Sequence, residues 1–131
     1  MAEKKTYFIG KFAKQIGLTI DTLRYYEKEG LLDPYRDING RRRYSEADRR
    51  WCEFIKRLKE TGMPLRTIKQ YSELRHQGNQ TINERVALLN IQRKFLEKKR
   101  TEIDSYLAFL DEKMATYAEM KNNLNNSNKN A

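Results

Sequence analysis

Toward the C-terminus one apolar residue returns every seven positions: Ile82, Leu89, Leu96, Ile103, Leu110, Tyr117 and Leu124. Val86, Phe95, Tyr106, Leu107, Met114 and Met120 stand beside that row, and no proline or glycine interrupts residues 79–131. A breaker-free repeat of this period folds as one long amphipathic helix with a coiled-coil seam. Some 40 residues at about 1.5 Å each reach on the order of 60 Å. A helix of that reach cannot bury its stripe on a small domain, so the pattern asks for a second copy of itself. Leu89, Leu96, Ile103, Leu110 and Tyr117 are the expected dimer contacts. Gln92, Lys99 and Lys113 interrupt the neighbouring row, so the heptads alone leave the strand orientation open. No turn signal supports a helix folded back within a monomer. Residues 122–131 are rich in asparagine and are expected to be a disordered tail.

The N-terminal part has a different grammar. Residues 1–6 are polar and are expected to fray. Ile9, Phe12, Ala13 and Ile16 then share one helical face, and Gly17 is placed to end that helix. Thr19 can cap the next helix by accepting from the amide of Asp21 or Thr22. Ile20, Leu23 and Leu31 are expected to form its buried side, which leaves Thr19, Asp21, Thr22, Arg24 and Tyr25 for the other. Gly30 marks the stop. Two short helices joined by a glycine turn make a helix-turn-helix, whose second helix suits a DNA major groove. Asn39-Gly40 then predicts a hairpin with a type I′ turn, which needs positive φ at both residues. Arg36 lies on one arm and Arg41, Arg42 and Arg43 on the other, a basic ribbon suited to phosphates.

Between these parts lie two linking helices. Ser45 to Asp48 has the form of a capping box. Ala47, Trp51, Phe54, Ile55 and Leu58 make the apolar stripe that follows, with Trp51 as a core anchor. Gly62 ends this helix and Pro64 suits the first turn of the next. There Leu65, Ile68, Tyr71, Ser72 and Leu74 face inward. Gln77-Gly78-Asn79 breaks the chain. The expected domains are residues 1–78 for DNA binding, 79–121 for dimerisation and 122–131 for the tail.

The block Arg24-Tyr25-Tyr26-Glu27-Lys28-Glu29-Gly30-Leu31, followed by Asn39-Gly40-Arg41-Arg42-Arg43-Tyr44, resembles the MerR family of bacterial transcription regulators. The resemblance covers residues 7–76 by motif and the remainder by architecture. It implies a mainly α fold: a winged helix-turn-helix followed by a long helix that pairs two chains as an antiparallel coiled coil. It also implies a pseudo-palindromic duplex operator between promoter elements with an overlong spacer. The activated regulator of this family bends and untwists that DNA so that RNA polymerase engages both elements.

The expected DNA-contacting set is Thr19, Asp21, Thr22, Arg24, Tyr25, Tyr26, Arg36, Asn39, Gly40, Arg41, Arg42 and Lys59. Thr19, Asp21 and Thr22 stand at the end of the helix that meets base edges. Asp21 can accept from a cytosine amino group or simply favour the helix N-terminus. Of Tyr25 and Tyr26, one packs inside while the other offers its hydroxyl. Strand alternation puts Arg36 and Arg42 on one face of the wing. Lys59 resembles a backbone-contacting position of the family.

Net charge supports this division. The chain carries +9 overall, and residues 1–76 hold 18 of its 27 basic and 11 of its 18 acidic residues. A basic excess gathered in the helix-turn-helix half favours a polyanionic partner. The single cysteine allows no intrachain disulfide and fits a reducing compartment. With no apolar run near membrane length and no leader-like N-terminus, the expected location is the bacterial cytoplasm. One cysteine and one histidine supply too few ligands for a zinc, copper, mercury or iron–sulfur site, so neither metal nor cofactor is expected.

Cys52 stands beside the apolar stripe of the third helix. On position alone it is a small buried hydrophobe. Arg49, Arg50 and Lys56 within one turn favour a reactive thiolate, while Asp48 and Glu53 oppose it. The MerR resemblance adds a branch that keeps one cysteine in this helix and responds to aldehydes and other electrophiles. On that reading Cys52 is the sensor thiol, and its modification shifts the dimer toward the activating conformation. The alternative is a non-covalent small-molecule signal with Cys52 as packing. An enzyme lacks support, since no paired acids, triad or phosphate loop are present, and an RNA-binding module is the remaining rival. With the coiled coil last in the sequence, a large drug-binding domain is not expected.

Overall fold

Apolar period and capping chemistry decide where each helix of this chain starts and stops. The computed structural model describes residues 5–129. In chain order the elements are β1 (Thr6–Tyr7), α1 (Ile9–Ile16), α2 (Ile20–Lys28), β2 (Tyr35–Arg36), β3 (Arg42–Ser45), α3 (Glu46–Glu60), α4 (Leu65–Gln77) and α5 (Ile82–Lys129), with a 3₁₀ turn at Asn79–Thr81. The fold is mainly α, a winged helix-turn-helix followed by one long helix.

Gly17 ends α1 in the left-handed conformation at φ 69°, and the amide of Leu18 reaches back to the carbonyl of Ala13 at 3.1 Å. Thr19 caps α2, its hydroxyl accepting from the amide of Thr22 at 3.0 Å. Ser45 and Asp48 form the reciprocal capping box of α3. Pro64 sits one residue before α4, as its cap, and not in its first turn. At the far end of α4 the Thr81 hydroxyl shares its one proton between the carbonyls of Leu74 and Gly78, at 2.5 and 2.8 Å. That bond satisfies carbonyls the helix leaves unpaired.

The first compact unit extends through Gln92. Its core joins Phe12, Leu23, Tyr26, Tyr44, Cys52, Ile55 and Ile68, each at most 1% exposed. Phe12 stacks on Tyr44 with ring centroids 4.4 Å apart. Trp51 is half-buried and donates from Nε1 to the carbonyl of Leu31 at 2.8 Å, tying α3 to the end of α2. The expected inner side of α2 is corrected at one end: Leu23 and Tyr26 are buried, while Ile20, on the first turn, is exposed. Ala47 likewise lies exposed on the first turn of α3, outside its buried stripe.

Three short strands make an antiparallel sheet in the order β1-β3-β2, pairing Tyr7 with Tyr44 and Arg36 with Arg42. β1 falls where a frayed terminus was expected, because Thr6 and Tyr7 pair with β3 and the Tyr7 hydroxyl donates to Glu46 at 3.0 Å. Residues 1–4 lie outside the described residues.

The type I′ turn is also corrected. Gly40 has φ 77°, but among the described residues no non-glycine residue has positive φ, so Asn39 does not match it. The loop is one residue longer. The Gly40 amide bonds the Asp37 carbonyl, and the Asp37 amide bonds the Arg41 carbonyl, both at 2.9 Å. The Asp37 carboxylate accepts from the amides of Asn39 and Arg41 at 2.9 and 3.0 Å, which organises a three-residue loop ending in a left-handed glycine.

The second unit starts at Arg93 and consists of the continuation of α5. The expected boundary after residue 78 therefore falls early, since the first turns of α5 belong to the first unit. Leu89, expected in the dimer seam, packs against the core of its own unit. The tail is corrected too. Helix continues to Lys129, because nothing among residues 122–129 breaks it and Leu124 extends the heptad row; residues 130 and 131 lie outside the described residues. No helix among the described residues is long and apolar enough to cross a membrane.

Candidate nucleic-acid interface

The open side of α2 follows from its cap. Thr19 and Asp21 are exposed at its start, and Arg24 and Tyr25 follow on the next turn, also exposed. Thr22 is half-buried and its hydroxyl shares a 2.8 Å hydrogen bond with that of Thr19. Arg24 stands 4.0 Å from Asp21, a solvent-exposed pair that leaves its guanidinium available. Exposed Ile20 adds an apolar tip of the kind that meets a thymine methyl group. Nothing in the pattern of the chain singled it out, because its spacing matched the buried row.

The two tyrosines divide as their alternation demands. Tyr25 is 47% exposed and Tyr26 only 1%. Tyr26 is thereby corrected from candidate contact to core residue. Lys59 is exposed, with its ammonium 5.6 Å from the Tyr26 ring.

The wing arginines divide in pairs. Arg36 and Arg42 share one face, as strand alternation required, but that face meets Glu27 of α2. One Glu27 carboxylate oxygen takes Arg36 at 2.8 Å and the other takes Nε of Arg42. Arg36 also donates to the carbonyl of Gly40 at 3.0 Å. Glu27 thus ties both strands of the wing to α2. Its place in the Arg-Tyr-Tyr-Glu block was the available signal, and its role as a clamp was missed.

Arg41 and Arg43 take the other face, where both guanidiniums lie over the Phe8 ring at 4.7 and 3.8 Å. Stacking on an aromatic face holds a guanidinium in place without neutralising it. Arg43 also donates to the Thr6 hydroxyl at 3.0 Å, and Arg41 pairs with Asp37 at 3.3 Å. The amides of Arg41 and Asn39, aided by the guanidiniums of Arg41 and Arg43, hold the Asp37 carboxyl below the usual carboxylate range against a smaller desolvation effect. Asn39, Gly40 and fully exposed Ile38 form the tip.

Cys52 is closed to solvent at 0% exposure. Burial, and after it the charges of Asp48 and Glu53, push its thiol up to about 12. Two of the cations beside it in sequence are engaged elsewhere: Arg49 pairs with Glu53 at 3.2 Å and Lys56 donates to the carbonyl of Ile16 at 3.2 Å. The thiol in this conformation is a protonated packing group. Tyr44 is buried beside the same core, with its hydroxyl likewise raised to about 12, chiefly by burial and then by Glu27.

Comparison with known proteins agrees with this geometry. Residues 7–74 match the model of the MerR HTH family regulatory proteins, and residues 49–113 match a second model described as MerR, DNA binding. The chain is 40% identical over 117 residues to an uncharacterized HTH-type transcriptional regulator of Haemophilus influenzae, covering 88% of this chain and 87% of that one. It is similar to the crystal structure of HiNmlR, a MerR family regulator lacking the sensor domain, bound to promoter DNA. That similarity has a TM-score of 0.73 at 39% identity, over 89% of this chain and 94% of that one. A MerR family transcriptional regulator from Bacillus thuringiensis aligns with a TM-score of 0.69 at 34% identity, over 86% and 99% of the two chains.

Proposed function

This chain belongs to the MerR family of helix-turn-helix regulators, and from that premise we propose that it acts as a homodimer that distorts promoter DNA to activate transcription. It is a transcription regulator that binds promoter DNA, not an enzyme. The observation that carries the reading is the clamped pair of α2 and wing. Thr19, Asp21, Arg24 and Tyr25 stand open on one element, and Glu27 fixes the basic ribbon beside it. Helix residues then meet base edges while Asn39, Gly40, Arg41 and Lys59 meet the backbone, with Arg36 and Arg42 holding the wing in position and able to reach phosphates from its edge. Pairing of α5 with the α5 of a second chain, antiparallel, sets the distance between two half-sites, hence a pseudo-palindromic operator. RNA polymerase is engaged indirectly, through the altered DNA. Bending a site of this length costs a few kcal/mol and is offset by the contacts the bend allows. The test is transcription in vitro from promoters whose spacer is shortened base pair by base pair. Activation confined to the overlong spacer supports distortion, whereas activation independent of spacer length rejects it.

For the signal, buried Cys52 favours the non-covalent alternative over thiol modification. An electrophile sensor at Cys52 requires this core to open first. Wild type and Cys52→Ser are compared in the same transcription assay with methylglyoxal. Equal responses support Cys52 as packing, and a response confined to wild type restores the sensor-thiol reading.

A further inference from the structure

Where α4 gives way to α5, a cavity of about 350 Å³ is lined by Arg75, His76, Asn79 and Arg85. Every one of these side chains carries a hydrogen-bond donor, and no carboxylate lines the cavity. Among the described residues neither Arg75 nor Arg85 pairs with an acid, whereas Arg36, Arg41 and Arg42 of the wing do. Nε of Arg85 is buried without a hydrogen-bond partner, while its Nη2 donates to the carbonyl of Gly78 at 3.3 Å. A buried guanidinium N–H is costly unless it meets an acceptor. The Arg75 guanidinium is held over Trp51 at 4.5 Å, which fixes its plane while leaving its charge unpaired. His76 lies 2.7 Å from the Ser72 carbonyl through Nδ1, so that nitrogen donates there, and Nε2 offers a proton to an anion only when the ring is an imidazolium.

We propose that this cavity is a binding site for a small oxyanion, a phosphate or phosphate-bearing metabolite, held by Arg75, Arg85, His76 and Asn79. Two planar guanidiniums and an amide offer several donors to the multiply accepting oxygens of such a group, and a cavity of a few hundred Å³ accommodates a small ligand. The site stands at the segment that connects the DNA-binding helices to the start of α5. As a signal input it rests on the non-covalent reading above; as a binding site it stands on its own geometry.

The experiment is isothermal titration of the full chain with inorganic phosphate at fixed ionic strength, with sodium chloride as the matched control. Wild type should bind one phosphate per chain with saturation in the millimolar range or tighter. Arg85→Gln and Arg75→Gln should each weaken binding at least tenfold. Arg50→Gln, which removes the same charge outside the cavity, should change it less than twofold. Circular dichroism confirms that each variant is folded, and Arg85→Lys, expected to retain partial binding, covers a failure of Arg85→Gln to fold. Repeating the titration with operator duplex present distinguishes the source of the oxyanion. Undiminished binding assigns the site to a free anion, and stoichiometric loss assigns it to a backbone phosphate of the DNA. Absence of saturable binding, or equal binding by wild type and both glutamine variants, overturns the proposal.

Discussion

The two compact units of this chain handle the same kind of residue in opposite ways. Through Gln92, large apolar side chains meet partners within the unit, and Phe12, Leu23, Ile55 and Ile68 are 0% exposed. From Arg93 onward, Ile103, Leu110 and Tyr117 remain 53–58% exposed on a helix that no other element of its unit covers. One unit closes a core of its own, and the other carries an apolar stripe that none of its own elements covers. Apolar surface of that extent in water marks an interface. On the proposed reading the first unit supplies recognition and the second supplies the pairing that an operator of two half-sites needs.

The largest expected effect comes from spoiling the second unit while leaving the first intact. Ile103→Asp with Leu110→Asp should convert the protein to monomers by sedimentation and weaken operator binding at least a hundredfold, since a charge in the seam has no partner. Trp51 fluorescence should stay native, because the first unit closes its own core. The reverse experiment is Phe12→Ala, which removes the ring stacked on Tyr44. It should lower stability by about 3–5 kcal/mol in urea unfolding.

Next in size is the thiol. Iodoacetamide should alkylate Cys52 at pH 8 at least a hundredfold more slowly in the native protein than in urea. Because folding raises this pKa from an ordinary 9.0 to about 12, the thiol's contribution to stability is complete below about pH 9 and is lost as the pH rises toward 12. Fast native labelling would mean the core around α3 opens readily and would blur the contrast between the units.

The smallest effect concerns the clamp. Glu27→Gln should release Arg36 and Arg42, steepening the salt dependence of DNA binding by up to about 2 in logarithmic slope while eroding preference for the operator over random duplex. An unchanged slope would show that these arginines do not reach phosphate even when freed.

How much of this was legible in the chain depends on the range of the interaction. Caps and stops are local. Gly17, Thr19 and the Ser45–Asp48 box act within a few residues, and the structure places each where the residues indicate. The long helix was legible from period alone. The turn at the wing was half legible: Asn39-Gly40 marked its place, but the Asp37 carboxylate, acting on two amides, chose a longer loop. Contacts between distant elements were not legible. Glu27 meeting two wing arginines, Phe8 beneath Arg41 and Arg43, and β1 on β3 each depend on how the helices dock. Cys52 shows the same limit, since Arg49 and Lys56 bond elsewhere while the core closes over the sulfur.

The account turns on two chains reading one duplex through a seam formed by α5. Sedimentation velocity of the protein with a fluorescent operator duplex, titrated from excess DNA to excess protein, measures that directly. The expected result is a single complex of two chains per duplex, even with DNA in excess, with no one-chain intermediate. A stable complex of one chain per duplex that binds as tightly would contradict the account.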